Sequence, residues 1–464
     1  MKNIQSFGIL RLTVVVGLLL LLSGCDSFVD IDLPTSQLTS SSVFDEKATA
    51  NAAMTDVYSK LRDSGLLTGR ASGMSISLGT YADELDYYGT TLADIQHFYN
   101  NSVLARNGAV AEWWNSSYNI IYSANTVYEG VSASTKLAQA DKDQLMGEAL
   151  FVRGLVHFYL VNLFGNIPYI TTTNYEQNQV AQKIAIAEVY NHIIADLEAA
   201  KLLLPADYFV GQRIRPNKLV ASALLARVYL YNGNNEEASN EASAVINENG
   251  TYSLVGDFDS AFLAGSTSTI WQLIPQDAGG NTQEGANLIF NAGPPTFAAL
   301  TNGLMNAFEP GDLRRMHWVR AITDGSNTWY HSFKYKQQTN TGTTEEYSIV
   351  MRLSEMYLIR AEARAKQGFI SEAKDDLNTI RNLAGLSGTA TNNQQDLLSA
   401  ILQERRVEFF TEEGHRFFDL KRAGELNNAL TSVKPGWNAT EALFPLPENE
   451  LLRNPNMLPQ NPGY

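Results

Sequence analysis

Across 464 residues, 49 acidic side chains outnumber 34 basic ones, for a net charge of −15. No basic block appears, which excludes nucleic-acid binding by counterion release and attachment to anionic lipid by charge alone. A single cysteine excludes an internal disulfide and any zinc site built on thiolates.

The first element reads as an export signal. Lys2 and Arg11 precede an apolar run from Leu12 to Leu22, and Leu22-Ser23-Gly24-Cys25 closes it as a lipobox. The run is shorter than the roughly 20 residues that span a bilayer. Residues 1–24 are therefore expected to be a lipoprotein signal peptide, removed to leave Cys25 acylated at a new N-terminus. More than one acyl chain makes membrane attachment stable. Processing removes Lys2 and Arg11 and no acid, so the charge goes from −15 to −17. Residues 25–42 read as a lipidated polar tether carrying Asp26, Asp30 and Asp32, with a break at Pro34.

Helical patterns follow. Phe44 to Leu61 has an acidic start and alanine-rich spacing. Val110 to Glu129 carries Trp113, Trp114, Tyr118, Ile121 and Tyr122 at helical intervals, and Trp113 and Trp114 read as packing residues. From Asp141 to Phe164, Leu145, Ala149, Val152, Val156, Tyr159 and Leu163 recur every three or four residues, and Gly165 with Pro168 beyond it ends the helix. Ile186 to Leu204 is a further amphipathic helix, stopped by Pro205.

A repeat appears next. Ala226, Tyr229, Gly233 and Ala238 have the small-large-glycine-small spacing of a tetratricopeptide unit. Ala361, Gly368 and Ala373 reproduce it, with Arg364 in the place of the tyrosine. Small residues let paired helices approach, and the glycine turns the chain between them. Such pairs bury a face only by stacking on neighbours. Residues 251–347, between the two copies, are rich in Gly, Thr, Asn, Ser and aromatics and have little helical period. A segment of that length is too long for a connecting loop and reads as an inserted, partly β excursion. Trp271 and Trp318 read as core there, while Trp329 and Tyr330 follow Gly325-Ser326-Asn327 as if on a loop tip.

The C-terminal region combines several motifs. Leu397 to Glu413 forms a strong helix ended by Gly414 and carrying Glu404-Arg405-Arg406-x-Glu408. Gly414-His415-Arg416-x-Phe418-Asp419-Leu420 follows, then Pro445-x-Pro447-x-x-Glu450 and Gln460-Asn461-Pro462-Gly463-Tyr464. With Glu148-Ala149-x-Phe151-x-Arg153, Phe164-Gly165-x-x-Pro168 and the lipobox, the chain resembles the SusD/RagB family of Bacteroidota surface lipoproteins over nearly all of its mature length. That resemblance implies a mainly α fold: a tetratricopeptide-like superhelical scaffold of four helix pairs, about 43–250 and 348–430, within one SusD-like domain, 43–464. It implies an outer-membrane, outward-facing location and pairing with a SusC-like TonB-dependent transporter. It also implies capture of a nutrient, most often a glycan; some members take peptides. At this length the chain resembles a shorter member with reduced substrate loops.

The chemistry points to binding rather than catalysis. Carboxyl groups that suggest a glycosidase are Asp83, Glu84 and Asp86, Glu345 and Glu346, and Glu404 and Glu408, but adjacency in sequence does not set the spacing such a pair needs. The six histidines are scattered, and there is no His-Glu-x-x-His, Gly-x-Ser-x-Gly or Gly-x-x-x-x-Gly-Lys pattern. No enzyme activity, resident cofactor or metal site is expected; acidic surface loops alone do not support calcium. Glu404, Arg405, Arg406, Glu408, His415, Arg416 and Asp419 read as a buried ion-pair lock between helices. Sugar recognition needs flat aromatic faces and planar polar groups. The Tyr81 to Asn101 stretch supplies Tyr87, Tyr88, Phe98 and Tyr99 with Asp83, Asp86, Asn100 and Asn101. Trp329 and Tyr330 join them as ligand candidates, ahead of Asn287 and Phe290. Peptide capture, favoured by the acids at 83, 84 and 86, and a pure interaction scaffold are the alternatives.

Overall fold

Helix follows helix along an array whose members pack on their neighbours in chain order. The computed structural model describes residues 42–91 and 93–464; the expected signal peptide, Cys25 and the expected tether up to residue 41 lie outside them. Phe44–Tyr464 forms one compact unit. Its helices Lys47–Asp63, Gly108–Ala133, Gln139–Phe164, Ile186–Leu203, Lys218–Tyr231 and Asn235–Ile246 lead to Leu353–Lys366, Ile370–Leu383 and Gln394–Glu408. Local chemistry sets the boundaries. Asn107 caps Gly108–Ala133 by accepting from the N–H groups of Ala109 and Val110 at 3.0 and 3.2 Å. Gly165, at φ 74°, ends Gln139–Phe164, whose second half is almost wholly buried between its two neighbours. No helix among the described residues is long and apolar enough to cross a membrane.

The two repeat copies are helical hairpins, as their spacing predicts. Gly233 and Gly368 turn them at φ 82° and 87°, values that favour glycine. Ala226, Ala238, Ala361 and Ala373 are fully buried at the hairpin contacts. Helix Asn235–Ile246 of the first hairpin packs directly on Leu353–Lys366 of the second. Distant in sequence, the hairpins are neighbours in the stack, and the intervening segment loops out between them.

That excursion is stapled at its neck. Strand β2 (Thr269–Leu273) pairs antiparallel with β6 (Ser348–Arg352), which runs straight into the next scaffold helix. Beyond the neck lie β3 (Ala298–Leu300), β4 (Val319–Thr323) and β5 (Thr328–Ser332). They form a four-stranded sheet with β1 (Leu85–Tyr87), in the order β1-β3-β5-β4. The sheet is thus sewn from two parts of the chain that the sequence reading kept apart. Trp318 lies beneath it with Leu85, Leu300, Phe258 and Phe262, joined by Val407 and Phe410 from the C-terminal helix region. Trp271 and Trp318 are core residues.

One expectation needs correcting. The helix predicted to run to Glu413 ends at Glu408, and Thr411 and Glu413 take positive φ. Side chains capture the carbonyls there: Arg352 donates to Glu408 O at 2.8 Å, and Lys334 donates to Glu408 O and Phe410 O at 2.7 and 2.9 Å. Trp113 and Trp114 are buried, while Tyr122 on the same helix is 48 % exposed, because its turn faces an open cleft.

Candidate binding face and the charge lock behind it

The sheet decides which of the predicted ligand residues can meet a ligand. In β1, Leu85 and Tyr87 point to one face and Asp86 to the other, as strand alternation requires. The register Asp86↔Ala299, with Leu300↔Tyr330 on the next strand, sets Trp329 and His331 on the face of Asp86. Tyr88, one residue past β1, donates its N–H to Phe297 O at 2.7 Å and shares that face. Its hydroxyl meets the Trp329 indole, and the Asp86 carboxylate beside it adds to burial in pushing the phenol up. Tyr99 donates to Asp86 Oδ1 at 3.3 Å, and Lys434 lies 4.3 Å from the Tyr99 ring. Tyr88 is exposed; Trp329, Tyr99 and Asp86 are half-buried. Four candidates from two distant segments therefore form one aromatic face around a single carboxylate. Phe290 supports its edge by packing on His331.

The other candidates are buried or half-buried with their groups engaged elsewhere. Phe98 is fully buried among Tyr81, Trp113 and Phe444 at ring separations of 5.9, 5.0 and 5.5 Å. Asn101, at φ 47°, is buried and donates to Tyr81 O at 3.1 Å. Tyr87 lies on the inner face of the sheet, edge-on to Phe297. Tyr330 packs on the core beneath the sheet, with Arg315 5.6 Å from its ring. Asn287 donates to backbone carbonyls of Gly69 and Gln283. Asp83, read as a ligand group, is an ion-pair partner: Arg406 and Arg416 each reach it at 2.7 Å. Glu84 is buried beside Asp83, and burial pushes its carboxyl up to about 8.

The expected ion-pair lock exists, but most of its partners come from outside the C-terminal motif. Arg405 pairs with Asp419 at 2.7 Å, and His415 lies against Arg405. Glu404 and Glu408 instead reach Arg314, at 2.7 and 2.9 Å, in the segment leading into β4. Glu408 also pairs with Arg352 at the end of β6, which reaches Glu412 at 2.8 Å. Arg381 joins Glu404 at 3.2 Å. Buried arginines hold the Glu408 carboxyl down at about 2. Arg314, Arg352, Arg381 and Lys334 went unrecognised in the sequence because isolated bases in unrelated segments carry no local signal. The carboxyls that suggested a glycosidase are mostly committed to structure. Asp83, Glu404 and Glu408 face arginines, and Glu346 accepts from the N–H groups of Lys336 and Gln337 at 2.5 and 3.1 Å. Among the described residues, no group of three or more His, Cys, Asp or Glu side chains is arranged to hold a metal ion.

Comparison with known proteins agrees with this architecture. A family model described as "Starch-binding associating with outer membrane" matches residues 40–230, and one described as "SusD family" matches residues 315–464. SusD-like protein P2 of Formosa agariphila is 28 % identical over 98 % of this chain and 99 % of its own. SusD-like protein P25 of the same organism is 22 % identical over the same shares. Among solved structures, a SusD superfamily protein from Bacteroides vulgatus superposes with a TM-score of 0.79 at 22 % identity, covering 90 % of this chain and 99 % of that one. A laminarin-binding SusD-like protein superposes with a TM-score of 0.76 at 24 % identity, with the same coverage. Surface glycan-binding protein A from Bacteroides thetaiotaomicron, solved with laminarihexaose, also gives 0.76, at 19 % identity over 89 % of this chain and 99 % of its own. The tetratricopeptide-like stack, the excursion between its repeats and the matches over both halves of the chain have one reading: this protein belongs to the SusD/RagB family.

Proposed function

We propose that this protein is a cell-surface lipoprotein that captures an oligo- or polysaccharide on the outer face of its four-stranded sheet. The observation that carries the reading is the grouping of Tyr88, Trp329 and Tyr99 around Asp86. Aromatic faces take the apolar side of a pyranose, and a carboxylate with phenol hydroxyls takes its hydroxyls. Similar folds that bind laminarin or laminarihexaose support the glycan class. Peptide capture rested on an acidic cluster at 83, 84 and 86. Asp83 is neutralised by two arginines and Glu84 is buried, which leaves only Asp86 to attract a basic peptide.

In this proposal Cys25 carries the lipid anchor in the outer membrane. The protein acts as a lid that hands the glycan to a SusC-like TonB-dependent transporter, with no chemical step of its own. The test is affinity electrophoresis of the chain from Asp26 onward in gels cast with laminarin, starch or xylan. Tyr88→Ala with Trp329→Ala should weaken retardation several-fold and leave the melting temperature within about 1 °C, because both rings are partly exposed. Unchanged retardation of this variant would sink the assignment of the face. For the delivery step, deleting the transporter should leave surface binding intact and stop uptake; continued uptake would refute the lid.

A further inference from the structure

A second aromatic cleft lies on the helical scaffold, away from the sheet. The first half of helix Gly108–Ala133, the loop after Pro168 and the short helix Glu448–Arg453 enclose about 240 Å³. Tyr118, Tyr122 and Tyr175 line it together with the exposed amide of Asn115 and the carboxyl of Glu450. Tyr122 is 48 % exposed and Tyr175 74 %. Single exposed aromatics are ordinary on protein surfaces, but several bordering one cleft beside polar groups mark a binding site.

The cleft is built rather than accidental. Trp114 lies buried behind Tyr118, with ring centroids 4.8 Å apart, and Tyr118 donates to Pro168 O at 2.9 Å, so its ring is fixed. The Trp114 indole supports the Glu450 carboxyl, which burial pushes up from the usual range. The volume is below the roughly 300–1,000 Å³ of pockets that hold drug-sized ligands. It suits one ring rather than a chain segment. Flat faces combined with one amide and one carboxyl are the chemistry a pyranose needs. None of these residues belongs to the sheet face.

We infer that this cleft is a second sugar subsite, which takes one pyranose unit of the same glycan that the sheet face binds. The inference rests on the glycan reading above and adds a separate location to it. Two subsites on one chain raise retention of a polymer through effective concentration without making either site tight.

The test compares Tyr122→Ala with Tyr175→Ala, Tyr88→Ala with Trp329→Ala, and the fourfold variant, all in laminarin, starch and xylan gels. Melting temperatures serve as the folding control. The expected result is that the cleft variant weakens retardation several-fold on the polymer that the unaltered protein binds. The fourfold variant should then run as in a blank gel. A cleft variant that runs like the unaltered protein, while the sheet variant loses retardation, overturns this inference and leaves the sheet face standing. Loss from the cleft variant alone supports the cleft and removes the sheet. An unaltered protein that none of the three polymers retards overturns both, since each polymer presents pyranose rings.

Discussion

Glu408 offers the sharpest test of how the sheet is held. Its carboxylate reaches Arg314 at 2.9 Å and pairs with Arg352, and the two arginines hold it at about 2 against an ordinary 4.5. At about 1.4 kcal/mol per pH unit, that difference amounts to about 3 kcal/mol of folded-state stabilisation. The figure sits at the lower end of the roughly 3–5 kcal/mol lost when one partner of a buried pair is removed. Glu408→Gln keeps the shape and removes the charge. The compact unit from Phe44 to Tyr464 unfolds with an entropy of about 0.9 kcal/mol/K, taking about 2.1 cal/mol/K per residue. The variant should therefore melt about 3–4 °C below the unaltered protein at pH 7. The sign of the pH effect follows from the lowered folded value. The contribution is complete above about 4.5 and fades as pH falls toward about 2. By pH 3 about 2 kcal/mol of it should be gone, and the gap should narrow to about 1–2 °C. Carboxyls that do not share Arg314 or Arg352 titrate alike in both proteins and cancel in the difference. Scanning calorimetry at pH 7, 5 and 3 reads this directly. A gap below 1 °C at pH 7, or one as wide at pH 3 as at pH 7, would refute the argument.

Two further outcomes concern the region behind the binding face. Glu84, raised to about 8 by burial and by Asp83, is neutral in the fold at pH 7 and charged in the unfolded chain, so its contribution falls as pH rises from about 4.5 toward 8. Glu84→Gln should remove that dependence and melt higher than the unaltered protein by about 3 °C at pH 7, with little gap at pH 5; a gap that does not open with pH counts against the buried neutral acid. Gly436→Ala would set its new Cβ 1.9 Å from Asn100 O, next to Tyr99. Overpacking of about 1–3 kcal/mol should lower the melting temperature by about 1–3 °C and weaken retardation on the glycan gel; a variant identical to the parent in both readouts would show that the Asn100 turn yields freely.

The repeats were legible because their code is local: an alanine, a glycine and an alanine within a dozen residues specify a hairpin wherever it occurs. The excursion was legible as a break in that period, and Trp329 as an aromatic that follows turn residues. The sheet was not legible. It pairs Leu85–Tyr87 with Ala298–Leu300, and three residues of β1 are too few to display an alternation. For the same reason Tyr87 and Tyr88, adjacent and chemically alike, could not be told apart until the strand fixed their faces. Phe98 and Asn101 share a composition with Tyr99 and Asn100, yet a helix and a left-handed turn bury the first two. The lock was visible from its acidic and C-terminal half only. The lipobox at Cys25 is the clearest local motif of all and lies outside the described residues.

The acids at 83, 84 and 86 show how one short run acquires three roles from what lies over each position. Asp83 ends helix Met74–Tyr81's turn under Arg406 and Arg416 and stays charged as part of the lock. Among the described residues no arginine lies within ion-pair reach of Glu84, and burial keeps its carboxyl protonated at neutral pH. Asp86 comes up on the outer face of β1 between Tyr88 and Tyr99. The lock and the binding face are therefore neighbours along one short run, from the turn before β1 into the strand. Arg314 and Lys334 tie the far strands to the end of helix Gln394–Glu408, while Arg406 and Arg416 tie the start of β1 to the same C-terminal region. Both segments that supply aromatics are thus fastened to one end of the scaffold, so Tyr88 and Trp329 meet without the ligand having to order them. A face assembled in advance avoids the ordering cost of a mobile loop.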